Sequence, residues 1–331
     1  MNESQPPPLP VTRKTAGISG FWRRLFAFFL DGIILGAPAY ILGLFLFDQF
    51  AGLGGYGRAV GFLVAFLYFG LMNSALAGGR TLGKRLMSIC VVDSKDSLIT
   101  VGRSATRYLI LGVPYFLNGA PIPPRLLFTW IALLLSFIIF GIGLSIVYLF
   151  VFNRRTRQSL HDLVVGTFVV KTGRSPEALK PKIWAGHYVI IAFLLIASIC
   201  APLLLKGLAT KGPFKELLPL QTSLMNLPDV RYASVFAGKS FFSDSKGSRS
   251  VNTVSVAIQV NKRIEDYDTF ANRMAKVVFE SHPEVTQRDQ LIVNIIYGYD
   301  IGIAHSSFSH GYNFSPAQWQ QRIQPQGSGS L

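Results

Sequence analysis

Asp31 is the residue whose placement most directly suggests chemistry, because it stands one or two helical turns inside the apolar stretch 25–47. An unpaired carboxylate there costs roughly 2.5–3.5 kcal/mol at a helix centre and less near the interface. Asp31 therefore needs a partner or a proton. Arg24 lies two turns earlier on the same face, about 10 Å away along the axis. Lys84, Arg85, Arg154 and Arg155, each at the end of a neighbouring apolar stretch, are the better-placed candidates. Two readings follow: an ion or proton site, or a buried ion pair that fixes helix register. The other polar side chains at membrane depth are mainly Asn73, Asn118, Thr129 and Ser145, a thin supply for an ion path. His161 and Asp162 form the second constellation. Adjacent residues point in different directions, so they do not make an acid–base dyad between themselves. His161 is expected to hydrogen-bond at the inner interface and Asp162 to tie its loop to a nearby Lys or Arg, with a proton relay as the alternative.

Other chemistries find no support. The sequence holds no G-x-S-x-G elbow, phosphate-cradling Gly loop or H-E-x-x-H, so no enzyme and no cofactor are expected. His305 and His310, five residues apart, fall on opposite faces of a strand and lack a third ligand, so no metal site is expected either. Cys90 and Cys200 are too isolated for a disulfide framework.

The elements that must position these residues are membrane helices. Half of the 331 residues are hydrophobic and only 15% are charged, too apolar a balance for a pair of soluble domains. Stretches 25–47, 59–77 and 183–205 match the roughly 20 residues that cross a bilayer. Stretch 126–152 is longer and must tilt, bend or project. Gly32, Gly36 and Gly43 in the first stretch suggest close helix approach and Pro38 a kink, while Gly141 and Gly143 loosen the long one.

The net charge of +15 is a topology signal rather than a nucleic-acid one. Lys and Arg number 4 before the first stretch, 6 over 80–107 and 7 over 154–182, against 2 (Arg58 and Arg125) in the other short loops. If the proline-interrupted segment 108–124 crosses, every basic loop faces the cytoplasm, where it also meets anionic lipid headgroups. Five crossings, the amino terminus inside and the C-terminal domain outside are therefore expected. A broken or re-entrant hairpin over 108–124 is the rival.

Residues 89–92 and 98–101, around Asp93–Ser97, read as a β-hairpin, and 163–170 as a further β-type run, together making a small inner sheet. Beyond 205 the order is helix, strand, turn at 243–250, strand, helix opened by Asp266, two strands joined at 298–302, and a short helix over 316–323. That order suggests an antiparallel sheet packed on one helix. The expected organisation is a tail (1–20), a transmembrane domain with a cytoplasmic hairpin (21–182), an added transmembrane helix (183–205), an extracytoplasmic α+β domain (206–323) and a second tail (324–331). The fold class is thus an α-helical polytopic membrane protein of about five membrane segments with a small α+β C-terminal soluble domain.

Three motifs carry a family resemblance. FWRRLFAFFLDGIIL, with Arg24 and Asp31, resembles the opening of RDD-family membrane domains. GGRTLGKRLMSICVVD, with Gly83, Lys84 and Arg85, is similar to the family's loop after its second helix, and RRTRQSLHDLVVGTFVV, with Gln158, His161 and Asp162, to its closing stretch. The resemblance covers about residues 18–172 and makes Asp31 and Asp162 the family's two aspartates. It implies a bacterial cytoplasmic-membrane protein, and either an accessory or assembly role beside other membrane proteins or a sodium- or proton-exchange role using Asp31. The last crossing and the domain beyond it depart from short members of the family.

Overall fold

The computed structural model describes residues 17–119, 122–127, 129–173, 182–209, 213–244 and 247–324. The expected tail 1–20 and tail 324–331 lie almost wholly outside them. The chain forms two compact units that do not follow chain order. The first takes Met1–Ile34, Phe66–Pro114 and Phe140–Leu195, the second Leu35–Ala65, Tyr115–Ile139 and Ile196–Leu331.

The helices are α1 (Phe21–Phe45), α2 (Phe47–Gly52), α3 (Gly57–Met72), α4 (Leu82–Leu86), α5 (Val101–Leu117), α6 (Trp130–Ser136), α7 (Gly143–Phe152), α8 (Leu160–Val165) and α9 (Gly186–Ala209). Among the described residues, four helical stretches are long and apolar enough to cross a membrane: Phe21–Phe45, Gly54–Met72, Trp130–Phe152 and Gly186–Gly207. The fifth apolar segment is built differently from expectation. Its helix, α5, begins at Val101 rather than near 108, carries Arg103 and Arg107 in its first two turns, and ends at Leu117. Gly119 follows with φ +88, a left-handed conformation that stops a helix cheaply only at glycine. The long stretch is relieved by a π-helical turn at Phe137–Ile142 between α6 and α7, and Ser145 Oγ donates back to the Gly141 carbonyl at 2.7 Å. Insertion of one such turn is a common way to re-aim a long helix.

In the first unit the expected hairpin is not formed. β1 (Ile89–Asp93) pairs antiparallel with β2 (Thr167–Lys171), Val91 opposite Val169. Residues 98–101 instead lead into α5. The reason is local. Asp93 Oδ1 accepts from the backbone N–H groups of Lys95 and Ser97 at 2.8 and 2.9 Å, closing a tight turn. Ile99 is then buried in the small core with Ile89 and Val91 rather than laddered to them. Ile18 bridges to Val170 on the other side.

In the second unit, α10 (Pro213–Met225), β3 (Val230–Asp244), β4 (Gly247–Val260), α11 (Tyr267–Ser281), β5 (Gln290–Asp300), β6 (His305–Phe314) and α12 (Pro316–Ile323) make a sheet of order β3-β4-β5-β6. The sheet is mixed, not antiparallel. β4 and β5 run parallel because α11 is the crossover between them, and a crossover of that length returns the chain to the starting edge. The expected turn at 243–250 is mostly strand, since β3 and β4 stay paired out to Asp244 opposite Gly247. Val254, Val256, Ile258 and Val260 are buried against Phe270, Met274 and Val278 of α11, as their alternation and stripe required. Each such side chain contributes roughly 1.5–3 kcal/mol. Trp319 of α12 is fully buried and donates to the Leu291 carbonyl at 2.8 Å.

The same unit ties this α+β fold to helix ends. Arg58 of α3 forks onto Asp300 Oδ2 at 2.7 and 2.9 Å and also donates to the Phe116 and Asn118 carbonyls. Tyr297 donates to Asp48 at 2.8 Å, and Tyr115 to the Gly302 carbonyl at 2.9 Å. The glycines of α1 therefore serve a different end from the helix approach expected of them. A Cβ at Gly36 would come within 2.9 Å of the Ile303 carbonyl, Gly43 lies against the Tyr299 ring, and Gly32 has open space beside it.

Candidate functional site: a buried Arg–Asp–Arg cluster and its cavity

Asp162 sits in the first turn of α8, and its side chain is fully buried. Arg24 of α1 reaches Oδ2 at 2.6 Å, while Arg107 of α5 places Nε and Nη2 on Oδ1 at 2.9 and 2.7 Å. The backbone N–H of Ser159 and the Thr167 hydroxyl complete the carboxylate's shell at 3.2 and 3.3 Å. One carboxylate thus joins α1, α5, α8 and β2. Burial opposes its ionisation, but Arg107, and with it Arg24, outweigh that and hold the carboxyl well below the usual carboxylate range. Arg24 also donates to the Arg157 carbonyl and lies 5.3 Å from the Phe150 ring centre.

Asp31 is buried too, and its partners are not the expected cations. Oδ1 accepts from the Tyr68 hydroxyl at 2.7 Å and the Gly83 N–H at 2.8 Å, and Oδ2 from the Thr81 hydroxyl at 2.6 Å. Thr81 is the N-cap of α4, and of the N–H groups in its first turn that of Gly83 points at the carboxylate, while those of Leu82 and Lys84 go to the Tyr68 and Thr81 hydroxyls. A Cβ on Gly83 would strike the Ala27 carbonyl and come within 2.9 Å of Asp31 Oδ1, so the approach depends on glycine. Lys84 instead donates to Asn73 Oδ1 at 2.7 Å, and Arg85 reaches the Ala77 carbonyl at 3.3 Å. Arg154 and Arg155 are exposed and outside the cluster. The sequence expectation of an ion pair at Asp31 is therefore corrected to a tether made by neutral donors.

His161 Nε2 is 3.6 Å from Asp162 Oδ2, too long for a hydrogen bond. Its Nδ1 has no partner among the described residues, so the hydrogen bond expected of His161 is not made there. Burial, then Arg107, Arg24 and Lys84, push its pKa down to about 3 against the pull of Asp162. Because that lies below the ordinary 6.5, the unfolded chain binds more protons than the folded one between about pH 3 and 6.5. His161 therefore costs stability progressively as the pH falls through that window, by up to about 1.4 kcal/mol per unit. Melting temperatures between pH 6.5 and about 4.5 should fall less steeply for His161→Asn than for the unmodified chain. Parallel slopes would place the acid sensitivity on another group.

A cavity of about 430 Å³ adjoins the cluster. Arg24, Asp31, Asn73, Lys84, Arg107 and His161 line its polar end, and apolar side chains of α1, α5 and α7 its walls. Lys84 is pushed down to about 7, first by burial and then by Arg107, against the pull of Asp31. Arg107, Tyr68, Thr81 and Asn73 were not anticipated as site residues. Arg107 was visible only as one more basic loop residue, and Tyr68 only as part of an apolar stretch.

These features define a polytopic helical membrane protein with an α+β C-terminal domain. Its membrane part carries an RDD family domain, matched over residues 18–166, which contains Arg24, Asp31 and Asp162. The chain is similar to "Uncharacterized protein YxaI" of Bacillus subtilis (strain 168), 28% identical over 174 residues, covering 46% of this chain and 96% of that protein. It is also similar to "Uncharacterized protein YckC" of the same organism, 26% identical over 162 residues, covering 49% of this chain and 90% of that protein. Each alignment thus leaves more than half of this chain without a counterpart.

Proposed function

We propose that the protein is a non-catalytic accessory or assembly protein of the bacterial cytoplasmic membrane, whose C-terminal domain lies on the extracytoplasmic side and contacts another membrane protein. The observation that carries this reading is the ribbon formed by β3 and β4. β5 pairs with β4 only over Thr253–Gln259, whereas β3 and β4 stay paired to Asp244 and Gly247. The outer part is therefore a two-stranded arm without a third strand, a form of marginal stability alone. Phe241 on the arm is 79% exposed and Phe236 at its base 68%. Exposed aromatics on a projecting ribbon are the side chains that anchor protein interfaces.

The sidedness rests on the basic loops, which gather on one side if α5 crosses. Two contacts support that crossing. Tyr108 stacks on Phe69 of α3 at 4.8 Å, and Phe116 meets Phe62 at 5.5 Å, as an antiparallel partner of a spanning helix would. Ion exchange is less well supported, because three neutral donors already occupy Asp31.

Purified from native membranes in mild detergent, the full chain should bring a second membrane protein in fixed stoichiometry. Phe236→Ser with Phe241→Ser should reduce that recovery about tenfold or more without altering the chain's own melting. Recovery of this chain alone, or undiminished recovery with the double variant, removes the reading. With Cys90 and Cys200 replaced by Ser, an impermeant maleimide on intact cells should label Lys239→Cys and spare Arg155→Cys; the reverse pattern overturns the sidedness.

A further inference from the structure

The cavity of the first unit has a charge balance and shape that an assembly role does not use. Three cations line it, Arg24, Lys84 and Arg107, and their formal charges exceed those of Asp31 and Asp162 by one. Both carboxylates are committed, Asp162 to two guanidiniums and Asp31 to Tyr68, Thr81 and Gly83. Lys84 Nζ spends one donor on Asn73 and retains two. His161 is only 5% exposed, lines the same cavity and carries a ring nitrogen without a partner among the described residues. A surplus positive charge and an unsatisfied buried nitrogen both call for an anionic or accepting group.

The remaining walls say what that group is attached to. Phe28, Leu111, Val147 and Phe150 continue the cavity as an apolar slot. Phe28 of α1 and Val147 of α7 are 51% and 58% exposed, so the slot opens between two spanning helices toward the hydrocarbon. A soluble anion would match the polar end alone.

We propose that this cavity binds one anionic phospholipid, admitted sideways from the bilayer, with its phosphodiester at Lys84 and His161 and an acyl chain along Phe28, Leu111 and Phe150. The negative charge of a phosphodiester offsets the surplus positive charge, which is complete when Lys84 is protonated, and its approach favours that protonation. A volume of about 430 Å³ holds the phosphate and the upper part of one chain, the rest remaining in the bilayer.

The test uses the full chain in detergent, probed with phosphatidylglycerol, phosphatidylcholine and inorganic phosphate by native mass spectrometry and thermal melting. One phosphatidylglycerol per chain should be retained and should raise the melting temperature, phosphatidylcholine should be retained at least tenfold less, and phosphate should do nothing. Lys84→Gln removes the charge from a desolvated position and should cut phosphatidylglycerol retention about tenfold without lowering the lipid-free melting temperature. Val147→Trp, which narrows the slot without touching the charges, should do the same. Equal retention of the two lipids, stabilisation by phosphate alone, or unchanged retention in both variants would each overturn the proposal. An assembly partner could be absent in that experiment without affecting its outcome.

Discussion

Asp162→Asn should be the most damaging single conservative change in the chain. The carboxylate is fully buried, and the side chains of Arg24 and Arg107 retain only 8% and 7% exposure. Neutralising it leaves two guanidiniums facing each other with no counterion, and breaking a buried pair from one side costs about 3–5 kcal/mol. For a protein of this size that corresponds to a fall in melting temperature of roughly 4–7 °C. The amide keeps only one acceptor oxygen, so either Arg107 and the Thr167 hydroxyl or Arg24 and the Ser159 N–H lose theirs. Adding Arg107→Met should recover part of the loss, because replacing both partners removes the desolvated charge instead of exposing it. Arg154→Ala and Arg155→Ala provide the contrast: both arginines are exposed, and surface changes of that kind shift stability by about 0.5 kcal/mol or less. Melting of the detergent-solubilised variants ranks them. An Asp162→Asn protein within about 2 °C of the unmodified chain would show that the cluster does not hold the four elements together.

The sequence made the membrane class, four of the helices and the stripes of the C-terminal core legible, because each depends on patterns within one element. Length and hydropathy define a crossing, and the alternation of Val254, Val256, Ile258 and Val260 defines a strand face. What it did not show were the pairings between elements. Residues 98–101 have strand-like composition, yet the turn on Asp93 leaves Ile99 a place in the core and β1 a better partner in the distant β2, with Val91 opposite Val169. The parallel register of β4 and β5 follows from a helix lying between them in sequence, a signal the sequence carries. The glycines of α1 were readable as close-approach positions. That Gly36 and Gly43 face a turn and a tyrosine from β5 and beyond, rather than another helix, required the fold.

The candidate site divides in the same way. Asp31, Lys84, His161 and Asp162 stand out because charged or titratable residues beside apolar stretches are costly without a reason. Arg107 did not, because an arginine between two hydrophobic runs looks like any positive-inside residue until α5 is seen to begin at Val101. Lys84, Arg85, Arg154 and Arg155, the cations at the ends of neighbouring stretches, are not the partners of Asp31: the fold gives Arg24 and Arg107 to Asp162 and leaves Asp31 to the Tyr68 and Thr81 hydroxyls and the Gly83 N–H.

That division sets up the second large effect, at Asp31. Asp31→Ala strands the Tyr68 and Thr81 hydroxyls and the Gly83 N–H, each costing about 1–3 kcal/mol when buried without an acceptor. Relief from burying a carboxylate offsets part of this, so a net loss of about 2–3 kcal/mol is expected. Asp31→Asn should behave quite differently. One amide oxygen can accept from both Tyr68 and Gly83, while the amide nitrogen can donate to Thr81 once that hydroxyl turns, so each contact survives and only that with Thr81 reverses its donor. The asparagine protein should therefore melt within about 1 kcal/mol of the unmodified chain while the alanine protein does not. A carboxylate that exchanged sodium or protons would give another pattern, since asparagine removes the titratable group and should abolish flux in proteoliposomes however well the protein folds. Near-native melting of Asp31→Asn with unchanged flux leaves the tether as the residue's role. Loss of ion-dependent flux in that well-folded variant would restore the transport reading that the hydrogen bonds argue against.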